Sequence, residues 1–393
     1  MIYRDFKDKK ISLMGFGAMR LPLLEDGTVD KVQVQEMVDM AIENGVNYFD
    51  TAWPYHTGQS ELVIGEALSK YDRSSFYLAD KYPGHQISST YDPAYIFEKQ
   101  LEKCRVEYFD FYLYHNVYEK SISVYTDPQW DIIEYFKEQK RLGRIKHLGL
   151  STHAQAENLE AILDAFGDAI EFCQIQLNYL DWSLQKAREK CEILSKRGIP
   201  VWVMEPLRGG KLANVTDEAA EQMKAASPED TPASLALRFF HHMDNVKVVL
   251  NGVSNIQQMK ENLETFREER KLSEDEKKLL TDVAEGMKDS VPCTACRYCC
   301  SDCPRELDIP MLLSVYNDAK IIPSFNTVMV VEALPDDKKP AACIACGKCA
   351  KVCPQNIDIP AAMKDFAQIY DKIPRWEEIS RQREVLQPVT DKK

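Results

Sequence analysis

The chain reads as an α/β protein in two parts, a (β/α)8 TIM barrel followed by a smaller, mainly α-helical domain. Three observations predict this. Eight short apolar runs alternate with helix-like patterns from residue 1 to about 253. No G-x-G-x-x-G follows the first run, which disfavours a doubly wound dinucleotide-binding sheet. Eight cysteines near the C-terminus fall into two runs of one spacing, beyond the point where the barrel pattern stops.

The apolar runs are Leu13–Met19, Val46–Thr51, Phe76–Lys81, Asp110–His115, Lys146–Ser151, Phe172–Leu177, Val201–Pro206 and Val246–Asn251. Most are nearly continuous in apolar character, as strands of a parallel sheet are when both faces are covered. Helical spacing of Val34, Met37, Val38, Ala41 and Ile42 stops at Gly45. Asp92-Pro93 and Asp127-Pro128 each set a cap residue before a proline at a first helical position, and Gly143 and Gly198 follow basic helix ends. Eight such units in roughly 250 residues close into a barrel with right-handed crossovers. Charged helical patterns at 255–269 and 273–288 complete a first domain, 1–285. A second domain covers 286–375, and 376–393 is a charged tail.

The chain has 393 residues, 45% of them apolar, and a net charge of −13. Residues 286–393 hold fifteen Lys+Arg and fifteen Asp+Glu, so the whole negative excess lies in the barrel region. An acidic region without a basic stripe excludes nucleic acid as a natural partner. No stretch approaches the ~20 apolar residues of a membrane span. The first residues, Met-Ile-Tyr-Arg-Asp, carry no apolar leader, and the cysteines read as reduced thiols, so the expected location is cytoplasmic.

The cysteine runs are Cys293, Cys296, Cys299, Cys303 and Cys343, Cys346, Cys349, Cys353, each followed by proline. The spacing C-x2-C-x2-C-x3-C-P places three thiolates around one [4Fe–4S] cluster and sends the fourth to the other cluster. At an offset of 50, segments 293–310 and 343–360 agree at nine of eighteen positions, which argues for two equivalent units. A zinc site explains neither the x3 step nor the doubling. Cys300 aligns with Ala350 and reads as a bystander, and Cys104, Cys173 and Cys191 read as small core residues. Between the motifs lie 39 residues, and Pro310–Lys320 and Pro360–Tyr370 look like proline-started helices. The arrangement resembles the α-helical ferredoxins of respiratory iron–sulfur subunits.

In barrels of this kind, reactive residues stand at the C-terminal ends of strands. Those ends supply Asp50 and Tyr55, Lys81, and His115. The segments Asn47-Tyr-Phe-Asp-Thr-Ala-Trp-Pro-Tyr55 and Gln59-Ser-Glu-Leu-Val-Ile-Gly65 resemble the aldo/keto reductase signature. Tyr77-Leu-Ala-Asp-Lys81 and Asp110-Phe-Tyr-Leu-Tyr-His115 are similar to that family's lysine and histidine segments. The resemblance covers residues 1 to about 270 and implies a catalytic tetrad of Asp50, Tyr55, Lys81 and His115. Carbonyl reduction needs a proton donor for the developing alkoxide, and a free phenol near pKa ~10 is a poor one. An ammonium beside it favours phenolate, a carboxylate holds that ammonium, and an imidazole orients the carbonyl. Taken singly, Asp50 reads equally as a strand-end cap, Lys81 as a rim charge and His115 as a core imidazole.

The same resemblance implies that Ser151, Gln174 and Asn178 hold nicotinamide, and that Ser254, Gln258 and Asn262 contact the adenosine phosphate. Thr152 stands where the family usually has asparagine, Met204 where it has a stacking aromatic, and Gln258 where many members have arginine. NADPH and NADH therefore both remain open. Arg208, Gly210 and Lys211 are candidates for pyrophosphate, with a plain solvated loop as the alternative. Trp53, Tyr82 and Trp182 are candidates for an apolar substrate wall or for core.

Nicotinamide gives up two electrons as hydride, whereas each cluster passes one, so coupling them needs a converter such as a flavin. No motif announces a flavin. The reading is an NAD(P)H-dependent carbonyl reductase of aldo/keto reductase type, acting on a small carbonyl substrate and carrying two [4Fe–4S] clusters for structure or electron transfer. The alternative is a ferredoxin-linked electron-transfer protein that uses a flavin or a redox partner protein, with an idle barrel.

Overall fold

The computed structural model describes residues 1–86, 91–119, 121–287, 291–321, 323 and 325–375. The charged tail at 376–393 lies outside them. The chain divides into two compact units, Met1–Lys288 and Asp289–Lys393. Among the described residues, no helix is long and apolar enough to cross a membrane.

The first unit opens with an antiparallel hairpin, β1 (Tyr3–Phe6) and β2 (Lys9–Ser12). Eight parallel strands follow: β3 (Met14–Gly17), β4 (Tyr48–Asp50), β5 (Tyr77–Tyr82), β6 (Phe109–Tyr114), β7 (Ile145–Thr152), β8 (Phe172–Gln176), β9 (Val201–Met204) and β10 (Val246–Asn251). Each pairs with its neighbour in sequence, and β10 closes on β3. The eight apolar runs coincide with these eight strands to within a few residues. The sequence pattern did not announce the hairpin, whose turn uses Lys7 at φ 53°.

Helix punctuation holds at most sites. Asp92 caps helix Pro93–Cys104 by accepting from Tyr95 N–H at 3.0 Å, and Ser273 caps Glu274–Gly286 in a reciprocal box with Glu276. Gly143 and Gly198 take φ of 78° and 67° just past two helices, as the αL stop requires. Asp127-Pro128 is the exception. Asp127 caps a turn instead, accepting from Gln129 N–H at 2.9 Å, and the helix begins at Ile132. Asx turns compete with N-caps for the same side chain, and the sequence does not separate them.

The barrel interior is filled from its N-terminal end. Phe6 of the hairpin meets Trp202 and Phe111 at ring distances of 5.1 and 5.8 Å, and Phe172 stacks on Trp202 at 4.5 Å. With Tyr48, Leu113 and Val248, these side chains make an aromatic floor beneath the mouth. Gly149 on β7 is what admits Phe172: a Cβ there would lie 2.6 Å from the ring and 2.7 Å from the Phe172 carbonyl oxygen.

The second unit is helical among its described residues. Helices Ile309–Ile321 and Ile359–Asp371 pack together, joined by the Tyr316 hydroxyl donating to Asp365 at 2.5 Å, with Leu312, Met363 and Phe366 in the core between them. Helix Phe325–Glu332 occupies part of the stretch between the cysteine motifs.

Because a backbone oxygen leaves little room to yield, Gly149→Ala is expected to cost about 1–3 kcal/mol of stability. Urea unfolding checks this: the midpoint falls, whereas an unchanged midpoint would mean the floor repacks freely.

Candidate active site and metal centres

β4 ends at Asp50, which stands in register with Gly17 of β3 and Ala79 of β5. Two residues beyond Ala79, on the same face of β5, comes Lys81. The Lys81 ammonium forms an ion pair with the Asp50 carboxylate and donates to the Thr51 carbonyl at 2.7 Å. Its Nζ lies 3.5 Å from the Tyr55 hydroxyl. Lys81 is 0% and Asp50 2% exposed.

Tyr55 enters on a short 3-10 turn after β4. The next two residues, His56 and Thr57, take left-handed φ of 50° and 54°, a strained conformation that surrounding bonds must hold. His56 Nε2 accepts from Leu21 N–H at 3.1 Å, and the Thr51 and Ser60 hydroxyls share a bond at 2.8 Å. His115 follows β6, its ring 5.9 Å from that of Tyr55 and nearly perpendicular at 83°. The structure thus brings Asp50, Tyr55, Lys81 and His115 to one place.

Burial dominates the electrostatics of this group. It raises the Asp50 carboxyl, and the Lys81 charge only partly reverses that. It pushes the Tyr55 phenol well above its ordinary value, with Asp50, Glu205 and Asp80 adding and Arg20 opposing. The resting phenol is therefore protonated, although the lysine beside it favours phenolate. Burial also carries the His115 imidazole well below 6.5, reinforced by His85, Lys81 and His153. His115 Nδ1 is buried and has no hydrogen-bond partner among the described residues.

Two histidines that sequence reasoning passed over stand beside it. The His85 ring lies 4.5 Å from that of His115, and burial holds the two bystanders at about 4 (His85) and about 3 (His153). Each follows a barrel strand, which is the signal that could have found them. Behind Lys81, on the outer face of β5, Asp80 accepts from the Lys81 backbone N–H at 2.8 Å. Burial and the neighbouring Glu61 push the Asp80 carboxyl well up, while Glu61 takes Lys103 at 2.6 Å and Gln100 at 3.1 Å. Gln100 also donates to the Lys81 carbonyl at 3.0 Å, so this polar cluster grips the strand that carries the lysine.

The cofactor candidates divide. Ser151 and Gln174 are register partners on β7 and β8. Ser151 Oγ accepts from Asn116 N–H at 2.8 Å, and the buried Gln174 Oε1 and Asn116 Oδ1 have no partner among the described residues. Gln174 Nε2 donates to the Met204 sulfur at 3.7 Å. Asn178 is committed to Asp181 at 2.7 Å and to the Glu205 carbonyl at 3.0 Å. Arg208 is 1% exposed and faces Asp181 at 3.3 Å, a buried pair where a surface anion contact was expected. Gly210 takes φ 93° beside Lys211. Ser254 donates to the Arg20 carbonyl at 3.0 Å and its N–H to Gln258 at 2.8 Å, while Asn262 is buried against Asn251. Of the candidate wall, Tyr82 is core, packed on Phe136 at 5.2 Å, and Trp182 packs on Phe239. Trp53 lies under the Lys103 ammonium at 3.9 Å.

In the second unit the thiols gather around two cavities. Cys343, Cys346 and Cys349 line one together with Cys303 of the first motif. Cys293, Cys296 and Cys299 line the other together with Cys353 of the second. Each fourth cysteine has crossed to the other cavity, as the spacing implies. Four thiols around a walled space fit a cubane rather than a single ion. Among the described residues, no three His, Cys, Asp or Glu side chains converge as single-ion ligands.

Comparison with known proteins agrees with both units. A model of the 4Fe-4S dicluster domain matches residues 292–357. The uncharacterized oxidoreductase YqkF of Bacillus subtilis is 27% identical over 311 residues, covering 70% of this chain and 92% of that protein. The NADH-specific methylglyoxal reductase of Escherichia coli is 23% identical, covering 72% and 97%. The holo form of aldo-keto reductase AKR11C1 from Bacillus halodurans superposes with a TM-score of 0.59 at 25% identity, over 72% of this chain and 96% of that one. The model of the aldo/keto reductase family matches residues 13–285, and the chain belongs to that family.

Proposed function

We propose that the barrel reduces a small carbonyl substrate at the expense of NADPH or NADH, with Tyr55 as general acid. The observation that carries this reading is the Tyr55 hydroxyl 3.5 Å from an ammonium that is itself buried and held by Asp50. A bound nicotinamide supplies the hydride. Tyr55 donates its proton to the carbonyl oxygen as negative charge develops there, and the Lys81 ammonium stabilises the phenolate left behind. Asp50 and the Thr51 carbonyl fix the lysine. A neutral His115, with Nδ1 unpartnered, orients the carbonyl oxygen.

The unpartnered amide oxygens of Gln174 and Asn116, beside Ser151, suit a carboxamide donor such as nicotinamide carries. Gly210, Lys211, Ser254 and Gln258 are the proposed phosphate side, with Asn262 beneath them. Arg208 acts there through its buried pair with Asp181. The Escherichia coli relative, named as an NADH-specific methylglyoxal reductase, supports a small carbonyl as substrate class. In the second unit, Cys293, Cys296, Cys299 and Cys353 hold one [4Fe–4S] cluster and Cys343, Cys346, Cys349 and Cys303 the other, each passing one electron at a time. An idle barrel is disfavoured, because burying an ion pair with no task beside an ordered phenol is costly.

Tyr55→Phe is expected to lower kcat for carbonyl reduction by about two orders of magnitude or more with cofactor binding retained; an unchanged kcat rejects the role. With the imidazole neutral, the pH profile of kcat/KM is expected to show no break near 6.5, and a break there that disappears in His115→Gln would contradict a neutral His115. Anaerobically purified protein is expected to carry about eight irons per chain, and Cys296→Ala to lose several of them. Zinc with negligible iron would overturn the cluster assignment.

A further inference from the structure

The two cysteine motifs are equivalent in their ligands and not in their surfaces. Aligned at the offset of 50, Thr294 corresponds to Ile344, Arg297 to Gly347, Tyr298 to Lys348, Ser301 to Lys351 and Arg305 to Gln355. Thr294 is 2% exposed, whereas Ile344 is 54% exposed. Of the eight motif cysteines only Cys346 is exposed, beside Gly347, which takes φ 73° and puts no side chain over it. The charges diverge too. The turn 294–302 carries one Arg and one Asp, and the turn 344–352 carries two Lys and no acid.

The crossing of the fourth cysteines sharpens the contrast. Arg305 travels with Cys303 to line the second cavity and is exposed, whereas its counterpart Gln355 lines the first and is buried. The cation on the first cavity, Arg297, is offset by Asp308 at 3.1 Å. The second cavity therefore opens at an apolar tip, Ile344, with exposed Arg305 in its lining and exposed Lys348 and Lys351 on the turn that carries Cys346 and Cys349.

We infer that this opening is the electron port of the protein and that its occupant is a one-electron carrier protein with an acidic face. The inference rests on the cluster assignment above. An exposed cysteine brings a cluster edge to within contact of a docked protein, and the basic turn steers an acidic partner onto it. One electron leaves the partner, which is oxidised by one, and the cluster held by Cys343, Cys346, Cys349 and Cys303 is reduced by one. No bond forms or breaks. The solvent at exposed Cys346 favours the reduced state of this cluster over that of the other.

The test uses the full iron-replete chain and an acidic plant-type [2Fe–2S] ferredoxin. Binding and the rate at which reduced ferredoxin bleaches the cluster absorbance are both expected to weaken with salt. They should fall about tenfold or more in Lys348→Glu/Lys351→Glu, and less in Lys348→Gln/Lys351→Gln. Iron content and bleaching by reduced methyl viologen should stay at wild-type values. Tyr298→Glu/Ser301→Glu, the mirrored change on the first motif, should leave ferredoxin binding intact. Binding that survives charge reversal, or that is lost only in the mirrored variant, overturns the port. A chain without iron overturns it through the cluster assignment instead, so the two failures are distinguishable.

Discussion

The ion pair of Lys81 and Asp50 is the constraint around which the barrel is arranged. Removing two charges from water costs several kcal/mol per ion, and their attraction offsets that only with good geometry and further hydrogen bonds. Here the Thr51 carbonyl supplies one such bond. On the far side of the strand, Asp80, Glu61 and Gln100 hold the Lys81 backbone by its N–H and its carbonyl. The lysine has little freedom left, and the phenol beside it inherits that order.

What the sequence made legible follows from how each signal arises. A strand covered on both faces must be apolar almost throughout, so the eight runs were visible. Cysteine spacing fixes which thiols share a loop, so the crossing of Cys303 and Cys353 followed from chemistry alone. Asp127-Pro128 misled because a turn and a helix start use the same cap. Tyr82 is open to either reading, wall or core, because a strand end leaves its face undecided; strand residues alternate faces, and it packs in the core on Phe136. Arg208 looked like a surface cation. Its pairing with Asp181 depends on contacts between segments far apart in sequence, and no local pattern reports those. For the same reason, His85 and His153 gave no joint signal with His115.

The two units divide the electrostatics of the chain. Residues 1–285 carry the whole negative excess, while residues 286–393 are neutral in sum and basic on one turn. The repeated motif gives that unit two equivalent thiol sets, with Ile344 and Lys348 exposed on one and Thr294 buried at the matching position of the other. Hydride chemistry and one-electron transfer remain distinct in kind, and the proposed roles of barrel and clusters do not require them to meet.

The relation between Lys81 and Tyr55 is open to one direct measurement, the pH dependence of alcohol oxidation, the reverse reaction, in which the phenolate must accept a proton. Removing the ammonium in Lys81→Met should raise the phenol's pKa, moving the rising limb to higher pH by about one unit or more. A limb that stays in place while the rate falls would contradict control of Tyr55 by Lys81.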